Sequence, residues 1–535
     1  MASGLSRIPW AFTWRLRQRQ NDRRLMALVQ QVARKEASPV TRPVVLFNAS
    51  TRLLGLSQNA AFSLIAGWSL RLAGTPVVHF ICSSGLVPCV LGTNRDNVIA
   101  EPPCRDCIGQ SQKAFTGAVV RWFGFEADPL LKKLLEGLSL AQLSEFVYHN
   151  MPLGQMVLPS LRWILRCYSL ADDKSTRFLF AQYIRSAWSV AQQFGKLLQE
   201  VKPLAVVVFN GMFYPEAAAR WVAQQQEIKV ISHEVALQPY SAFFTPGEAT
   251  AYPIDIPDAF ELSPGQEARL DAYLENRFQG KFSMAGIQFW PEMRSLGEDF
   301  WQKAGRFKQV VPVFTNVIFD TSQGHANTVF PHMFAWLDLV LEIIRQHPES
   351  FFVIRAHPDE TRAGKESRES VAGWLRKNGV ERLPNVQFVD SRQYFSSYEL
   401  IRRSKFVMVY NSTIGLEATL LKAAVLCGGK ARFTQIPTVF FPQSEAAFRQ
   451  QAEDFLACEK IDVPAEFYRN ARRFLYTQLY KTSLPMEAYL EEDRIRPGYV
   501  RFKEFDLRDL HPEKSPAVKA ILEGILHDGN FLLDD

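Results

Sequence analysis

Two short stretches in the last third of the chain carry residues suited to chemistry: R-A-H-P-D-E, Arg355 to Glu360, and Y-N-S-T-I-G-L-E, Tyr410 to Glu417. Each follows an apolar run, F-F-V-I and F-V-M-V, so each sits where a buried parallel strand delivers its C-terminal end to a crevice. Ahead of a proline, His357 is biased toward extended backbone, and when protonated it can donate to a phosphate oxygen. A local carbonyl would satisfy it equally. Arg355 either forks onto a phosphate or pairs with Glu360. Ser412 and Thr413 fall at a strand-to-helix turn ahead of A-T-L-L-K-A-A, where Gly415 allows close backbone approach and helix-start N–H groups can face an anion. Lys430 and Arg432, after the Gly428-Gly429 turn, either neutralise phosphate or are plain surface charges. The combination suits the phosphate or diphosphate of a nucleotide-activated substrate.

The elements that must position these residues follow from periodicity. Strands are expected at Pro43 to Ala49, Pro76 to Ile81, Leu204 to Asn210 and Ile228 to Glu234, with helices at Gln58 to Leu72 and Tyr214 to Gln225. Leu130 to Leu198 reads as a helical insertion, and Pro239 to Asp258, rich in Pro, aromatics and acids, as a long loop. A second β/α series starts at Val310, after a linker near Phe278 to Arg306. Its strands are Val310 to Val317, Phe351 to Arg355 and Asn385 to Val389, with helices around Phe334 to Arg345 and Ser367 to Asn378. Two such series predict an α/β protein of two Rossmann-like domains facing each other across a cleft. The boundaries drawn are a basic amphipathic segment over 1–40, a first Rossmann-like domain over 41–290, a second over 291–460, and a helical tail over 461–535. At 535 residues the chain exceeds one ordinary core.

The motif set Arg355-x-His357-Pro358-x-Glu360, S-S-Y at Ser396 to Tyr398, Asn411-Ser412-Thr413-x-Gly415-x-Glu417 and Gly428-Gly429 resembles the C-terminal half of bacterial capsule-polysaccharide biosynthesis proteins. These are GT-B glycosyltransferases that include capsular Kdo transferases. The resemblance is clearest from about Lys308 to Gln435. It implies that His357 and Pro358 contact a nucleotide, that Ser412 and Thr413 hold its phosphate, and that Glu417 accepts from ribose hydroxyls, its alternative being a dipole partner of its own helix. It also implies that the tail crosses back onto the first domain. The activity implied is an inverting, metal-independent transfer from a nucleotide sugar, CMP-linked by preference, to a polysaccharide or lipid-linked acceptor. Alternatives on the same plan are a CDP-polyol phosphotransferase, a UDP-sugar 2-epimerase and a non-catalytic assembly protein. A single displacement needs a base from the first domain, for which Glu216, His233 and Glu234 stand at strand C-terminal edges. Asp320 is a further acid at such an edge.

Four of the seven cysteines, Cys82, Cys89, Cys104 and Cys107, fall within 26 residues. This spacing suits a structural zinc, with free thiols, an iron–sulfur cluster or a redox pair as alternatives. No cofactor is expected for catalysis itself. The first 36 residues hold eight basic and two acidic side chains, which equals the +6 of the whole chain. The body is therefore neutral, which argues against nucleic acid as a partner. Leu5, Ile8, Trp10, Phe12 and Trp14 interleave with the arginines, as an anionic membrane surface would require, or as a docked terminal helix would show. With no run of about 18 apolar residues and no secretory h-region, the expected place is the cytoplasm, including the inner membrane face.

Overall fold

The computed structural model describes residues 7–34, 42–49, 55–281, 293–362, 366–496 and 498–534, with side chains from Trp14 onward. Leu5, and the side chains of Arg7, Ile8, Trp10 and Phe12, therefore lie outside the described residues. The chain forms two compact units. Unit 1 comprises Met1–Ile164, Ala171–Tyr252 and Tyr480–Asp535, and unit 2 comprises Leu165–Leu170 and Pro253–Leu479.

Unit 1 opens with helix α1 (Arg7–Ala33), followed by β1 (Val44–Asn48), α2 (Gln58–Leu72) and β2 (Val77–Cys82). Next come α3 (Cys104–Ala114), β3 (Val119–Phe123) and the expected helical insertion: α4 (Pro129–Leu135), α5 (Leu140–Ser144), α6 (Leu153–Leu165) and α7 (Lys174–Val201). The alternation resumes with β4 (Ala205–Phe209), α8 (Tyr214–Gln225), β5 (Lys229–Val235) and β6 (Ser241–Thr245). β1 to β5 are parallel, and the chain runs β1–β2–β3 in one direction before placing β4 on the other side of β1. Ser57 starts α2 by accepting the Ala60 N–H, and Asp173 starts α7 the same way from Thr176. β6 falls inside the stretch read as a loop. Its five residues are all buried, but they are too short and too closely flanked by Pro and Gly to declare themselves.

In α1, Leu25, Leu28, Val29 and Val32 recur at helical spacing and are buried in the same core as β1, α2 and β2. Asp22 meets Lys113 at 2.6 Å and Arg24 meets Glu491 at 3.4 Å. From Arg24 onward the basic start is thus a docked terminal helix. Arg15, Arg17, Arg19 and Arg23 remain exposed.

Unit 2 contains α9 (Pro264–Phe278), α10 (Glu298–Ala304), β7 (Gln309–Phe314), α11 (Gln323–Ala326), α12 (Met333–Gln346) and β8 (Ser350–Arg355). α13 (Val371–Lys377), β9 (Val386–Val389), α14 (Ser397–Arg402), β10 (Val407–Val409), α15 (Ile414–Leu420), β11 (Val425–Cys427), α16 (Glu445–Ala457) and α17 (Ala465–Tyr476) complete it. All five strands are parallel in the order β11-β10-β7-β8-β9, reversing direction between β7 and β10. α17 still belongs to unit 2. The chain returns to unit 1 at Tyr480, where β12 (Leu484–Pro485) pairs with β6 before α18 (Pro516–Leu526). The tail is therefore part helix and part strand. The α/β class and the two Rossmann-like units agree with the expectation. The unit boundary falls at Tyr252–Pro253, ahead of α9, and not at the 290/291 boundary expected from the sequence. Among the described residues, no helix is long and apolar enough to cross a membrane.

Glu360 ties the loop after β8 to the start of α13 by accepting the Val371 N–H at 2.6 Å. Burial pushes its carboxyl up to about 7 against the lowering effect of that bond, with Asp390 adding to the rise. The unfolded chain releases this proton near the ordinary glutamate value and the folded chain only near 7, so stability falls as pH rises through that window. Glu360→Gln keeps an acceptor for Val371 and removes the titration. Unfolding measured from pH 4.5 to 8 should show the wild type losing up to about 3 kcal/mol relative to Glu360→Gln. Parallel profiles would refute this account.

Candidate functional site

Strand register gathers the two motifs. Phe314 of β7 is level with Arg355 of β8, and Val409 of β10 is level with Phe314. Three neighbouring strands thus end together, and the residues just beyond them share one pocket. Arg355, His357, Pro358, Ser412, Thr413 and Glu417 all line it. Arg277 of α9 and Ser397 and Tyr398 at the start of α14 complete the wall. The enclosed space is about 90 Å³, room for a phosphate-sized group and waters, so a larger ligand would extend from the mouth.

The wall is built on a buried ion pair. Arg277 Nη2 donates to Glu417 Oε1 at 2.6 Å, and the Tyr398 hydroxyl donates to Glu417 Oε2 at 2.5 Å. Arg277 also donates to the Tyr273 hydroxyl at 2.9 Å. Burial works against the Arg277 charge, but Glu417 outweighs it and holds the guanidinium protonated. Burial and then Glu417 keep the Tyr398 phenol protonated, as a donor. Both Glu417 oxygens therefore serve protein donors, which gives this pocket-lining residue an anchoring role. Arg277 was missed by sequence reading. The Ser263-x-x-Gln266 capping box and the amphipathic run after it were the available signal.

Arg355 is buried, which pulls its pKa down to about 10, still cationic at neutral pH. Glu360, its expected alternative partner, is turned to the Val371 N–H. Burial lowers the His357 pKa, against the opposing pull of Asp359 and Asp320. His357 Nδ1 accepts the Asp359 N–H at 3.1 Å, so the neutral ring carries its proton on Nε2. His357 is thus a neutral donor, where a protonated one was expected. Two guanidiniums against one carboxylate leave the pocket suited to an anion. α15 has only seven residues, so Ser412, Thr413 and the guanidiniums must supply more of that attraction than a helix start does. Gly415 answers to packing instead of ligand approach: a Cβ there would lie 2.9 Å from Phe433 Cζ and 3.0 Å from Val409 Cγ2.

In unit 1 the three base candidates separate by burial. Glu216, in the first turn of α8, is fully buried. His233 is enclosed, 5.2 Å from the Phe244 ring centre, and burial drives its pKa down to about 3, so the ring is neutral and structural. Glu234 alone is partly exposed. Asn59 Nδ2 donates to its Oε1 and Asn210 Nδ2 to its Oε2, both at 2.8 Å. The Met212 N–H donates to Asn210 Oδ1 at 3.0 Å, which fixes that amide's orientation.

Cys82 ends β2, Cys89 lies in the following loop, and Cys104 and Cys107 occupy the first turn of α3. Gly85 N–H donates to Cys82 Sγ at 3.3 Å and Gly92 N–H to Cys89 Sγ at 3.1 Å. Burial pushes both thiols up to about 12, and the neighbouring cysteines add to the rise. None of the four is in a disulfide. Among the described residues, no three His, Cys, Asp or Glu side chains stand ready to hold a metal ion.

Removing the carboxylate from the pocket wall should leave the Arg277 charge buried without its counter-ion. Glu417→Gln should therefore destabilise the protein by about 3–5 kcal/mol in urea unfolding, and Arg277→Met with Glu417→Leu by much less. Equal losses in both variants would show that the charge pairing is not what holds this wall.

Residues 276–470 match the family described as "Capsule polysaccharide biosynthesis protein". Protein FixF of Sinorhizobium fredii (strain NBRC 101917 / NGR234) is 27% identical over 230 residues, 42% of this chain and 48% of FixF, so the chain spans about half the length of that curated relative. Among solved structures, the Thermosulfurimonas dismutans KpsC beta Kdo 2,4 transferase aligns at a TM-score of 0.36 and 14% identity, covering 52% of this chain and 80% of that one. The UDP-GlcNAc 2-epimerase of Methanocaldococcus jannaschii aligns at 0.26 and 10%, covering 81% and 98%. Overlaps this loose say nothing about chemistry. The matched residues 276–470 hold the whole pocket, so the likeness to capsule polysaccharide biosynthesis proteins lies in the part of the chain that builds the site.

Proposed function

We propose that the protein is a glycosyltransferase of surface-polysaccharide assembly that binds a nucleotide-sugar donor, CMP-linked by preference, in the unit 2 pocket. The observation that carries this reading is the convergence of Arg355, His357, Ser412 and Thr413 at three level strand ends beside Arg277, inside the family-matched segment. The guanidiniums attract the phosphate, the two hydroxyls donate to its oxygens, and His357 Nε2–H adds a donor that needs no proton from solvent. Pro358 holds the His357 backbone extended, at φ −69° and ψ 138°. Glu234 is the proposed acceptor-deprotonating base in an inverting displacement: partly exposed, ionisable, and oriented by two carboxamides. The acceptor is a growing or lipid-linked polysaccharide, and the place of action is the cytoplasm at the inner membrane face.

Thermal shift with CMP, CDP, UMP, UDP and GDP at equal concentration should raise the midpoint most with a cytidine nucleotide. His357→Ala should weaken that binding by about 1–3 kcal/mol in calorimetry while the protein stays folded. Wild-type affinity in a folded His357→Ala variant would remove the assignment. Glu234→Gln should keep nucleotide affinity and lose about a hundredfold or more in transfer; undiminished transfer would dismiss Glu234 as base.

The cysteine corner is proposed as a structural zinc site, in which the metal draws together thiols that already share one loop and one helix start. Protein prepared without chelator should carry about one zinc per chain by metal analysis. A chain devoid of metal would leave the free-thiol reading.

A further inference from the structure

The helical insertion of unit 1 holds a groove of about 450 Å³ between α4, α5 and the first three turns of α7. Along α7 the lining runs from Lys174 through Arg177, Phe178 and Ala181 to Arg185, a single helix face at three- and four-residue spacing. Lys132 faces it from α4, and the one carboxylate in the lining belongs to Glu136. Arg177 is paired with Asp172 at 3.0 Å, whereas Lys132 and Lys174 make no ion pair among the described residues. Arg185 rests 5.3 Å from the Phe125 ring centre and donates from Nη1 to Gln182. Its Nε is buried and meets no acceptor among the described residues. A buried guanidinium N–H left without an acceptor costs free energy that an anionic oxygen would recover.

Beside this cationic groove the surface is unusually apolar. α4 reads P-L-L-K-K-L-L, with Leu131 and Leu135 turned into the core. Leu130 and Leu134, one turn apart, stand 57% and 45% exposed, and Phe178 of α7 is 39% exposed. Leucines offered to water on both sides of two lysines are out of place on an ordinary solvated face. The same mixture matches the boundary where anionic headgroups meet acyl chains.

We propose that this face of unit 1 docks onto an anionic phospholipid bilayer. Leu130, Leu134 and Phe178 enter at the level of the acyl boundary, and a headgroup phosphate sits in the groove against Lys132, Lys174 and Arg185. The membrane-facing element is then the insertion and not the second half of the basic N-terminal helix, where Leu25, Leu28, Val29 and Val32 are already in the unit 1 core. This proposal is independent of the donor pocket and of any transfer activity.

Sedimentation of the full chain with vesicles of phosphatidylglycerol and phosphatidylcholine tests it, with pure phosphatidylcholine vesicles as the comparison. Binding should require phosphatidylglycerol and weaken with salt. Leu130→Ser with Leu134→Ser should remove it, and Lys132→Gln, Lys174→Gln and Arg185→Gln together should lower partitioning by about a hundredfold. Arg15→Gln, Arg17→Gln and Arg19→Gln together, all on the exposed side of α1, should leave it unchanged. Unaltered thermal midpoints and nucleotide shifts in these variants would show that they are folded. Equal binding to neutral vesicles, wild-type binding by the leucine or groove variants, or loss of binding with the α1 arginines would each overturn the proposal. So would the absence of binding by the wild type.

Discussion

The ion pair between Arg277 and Glu417 is the constraint on which the unit 2 pocket depends. Neither charge tolerates burial alone, so the fold must bring α9 and α15 together, although about 140 residues separate them. Tyr398 closes the arrangement by donating to the second carboxylate oxygen, which adds α14 to the same knot. Three elements that share no hydrogen-bonded ladder are thereby held at one wall. That wall also sets the pocket's electrostatics. Beside it Arg355, His357, Ser412 and Thr413 line the same pocket, a set of groups that favours an anion.

The rest of the pocket follows from parallel strands ending level. Side chains beyond β7, β8 and β10 meet because one register aligns Phe314, Arg355 and Val409. Unit 1 uses the same logic at β4 and β5, with a different chemical result. There burial takes Glu216 and His233 out of reach of solvent, while Asn59 and Asn210 hold Glu234 by its two oxygens. One strand end offers cations to an anion, and the other a carboxylate to a proton.

Much of this was legible before any coordinates. Mostly apolar runs of five or six residues alternating with amphipathic stretches identify β1, β2, β4, β7 and β8, because parallel strands buried on both faces must be largely apolar. The residues that follow those runs are necessarily at the strand ends, so Arg355, His357, Ser412 and Thr413 could be placed by position alone. β6 escaped because five buried residues between turn signals carry no periodicity of their own, and it is held between β5, just before it in the chain, and β12 from the distant tail.

What residue types determined, then, was the inventory: which strands and helices form, which groups can donate, accept or titrate, and that the charge is concentrated in the first turns of the chain. Tertiary structure decided how those groups are used. Glu417 reads as a pocket carboxylate, and the fold makes it the anchor of Arg277 and Tyr398; His357 looks like a cation until burial and the Asp359 N–H leave it neutral. Gly415 looks like a place for a ligand until Phe433 and Val409 are found filling the space. The second half of the basic first helix proves to be packed in the core through Leu25, Leu28, Val29 and Val32, while Leu130 and Leu134 of α4 stand in water. Burial, pairing and exposure are properties of contacts between segments far apart in the chain. Local pattern cannot contain them, because the free energy of a charge or a leucine is set by what surrounds it after folding.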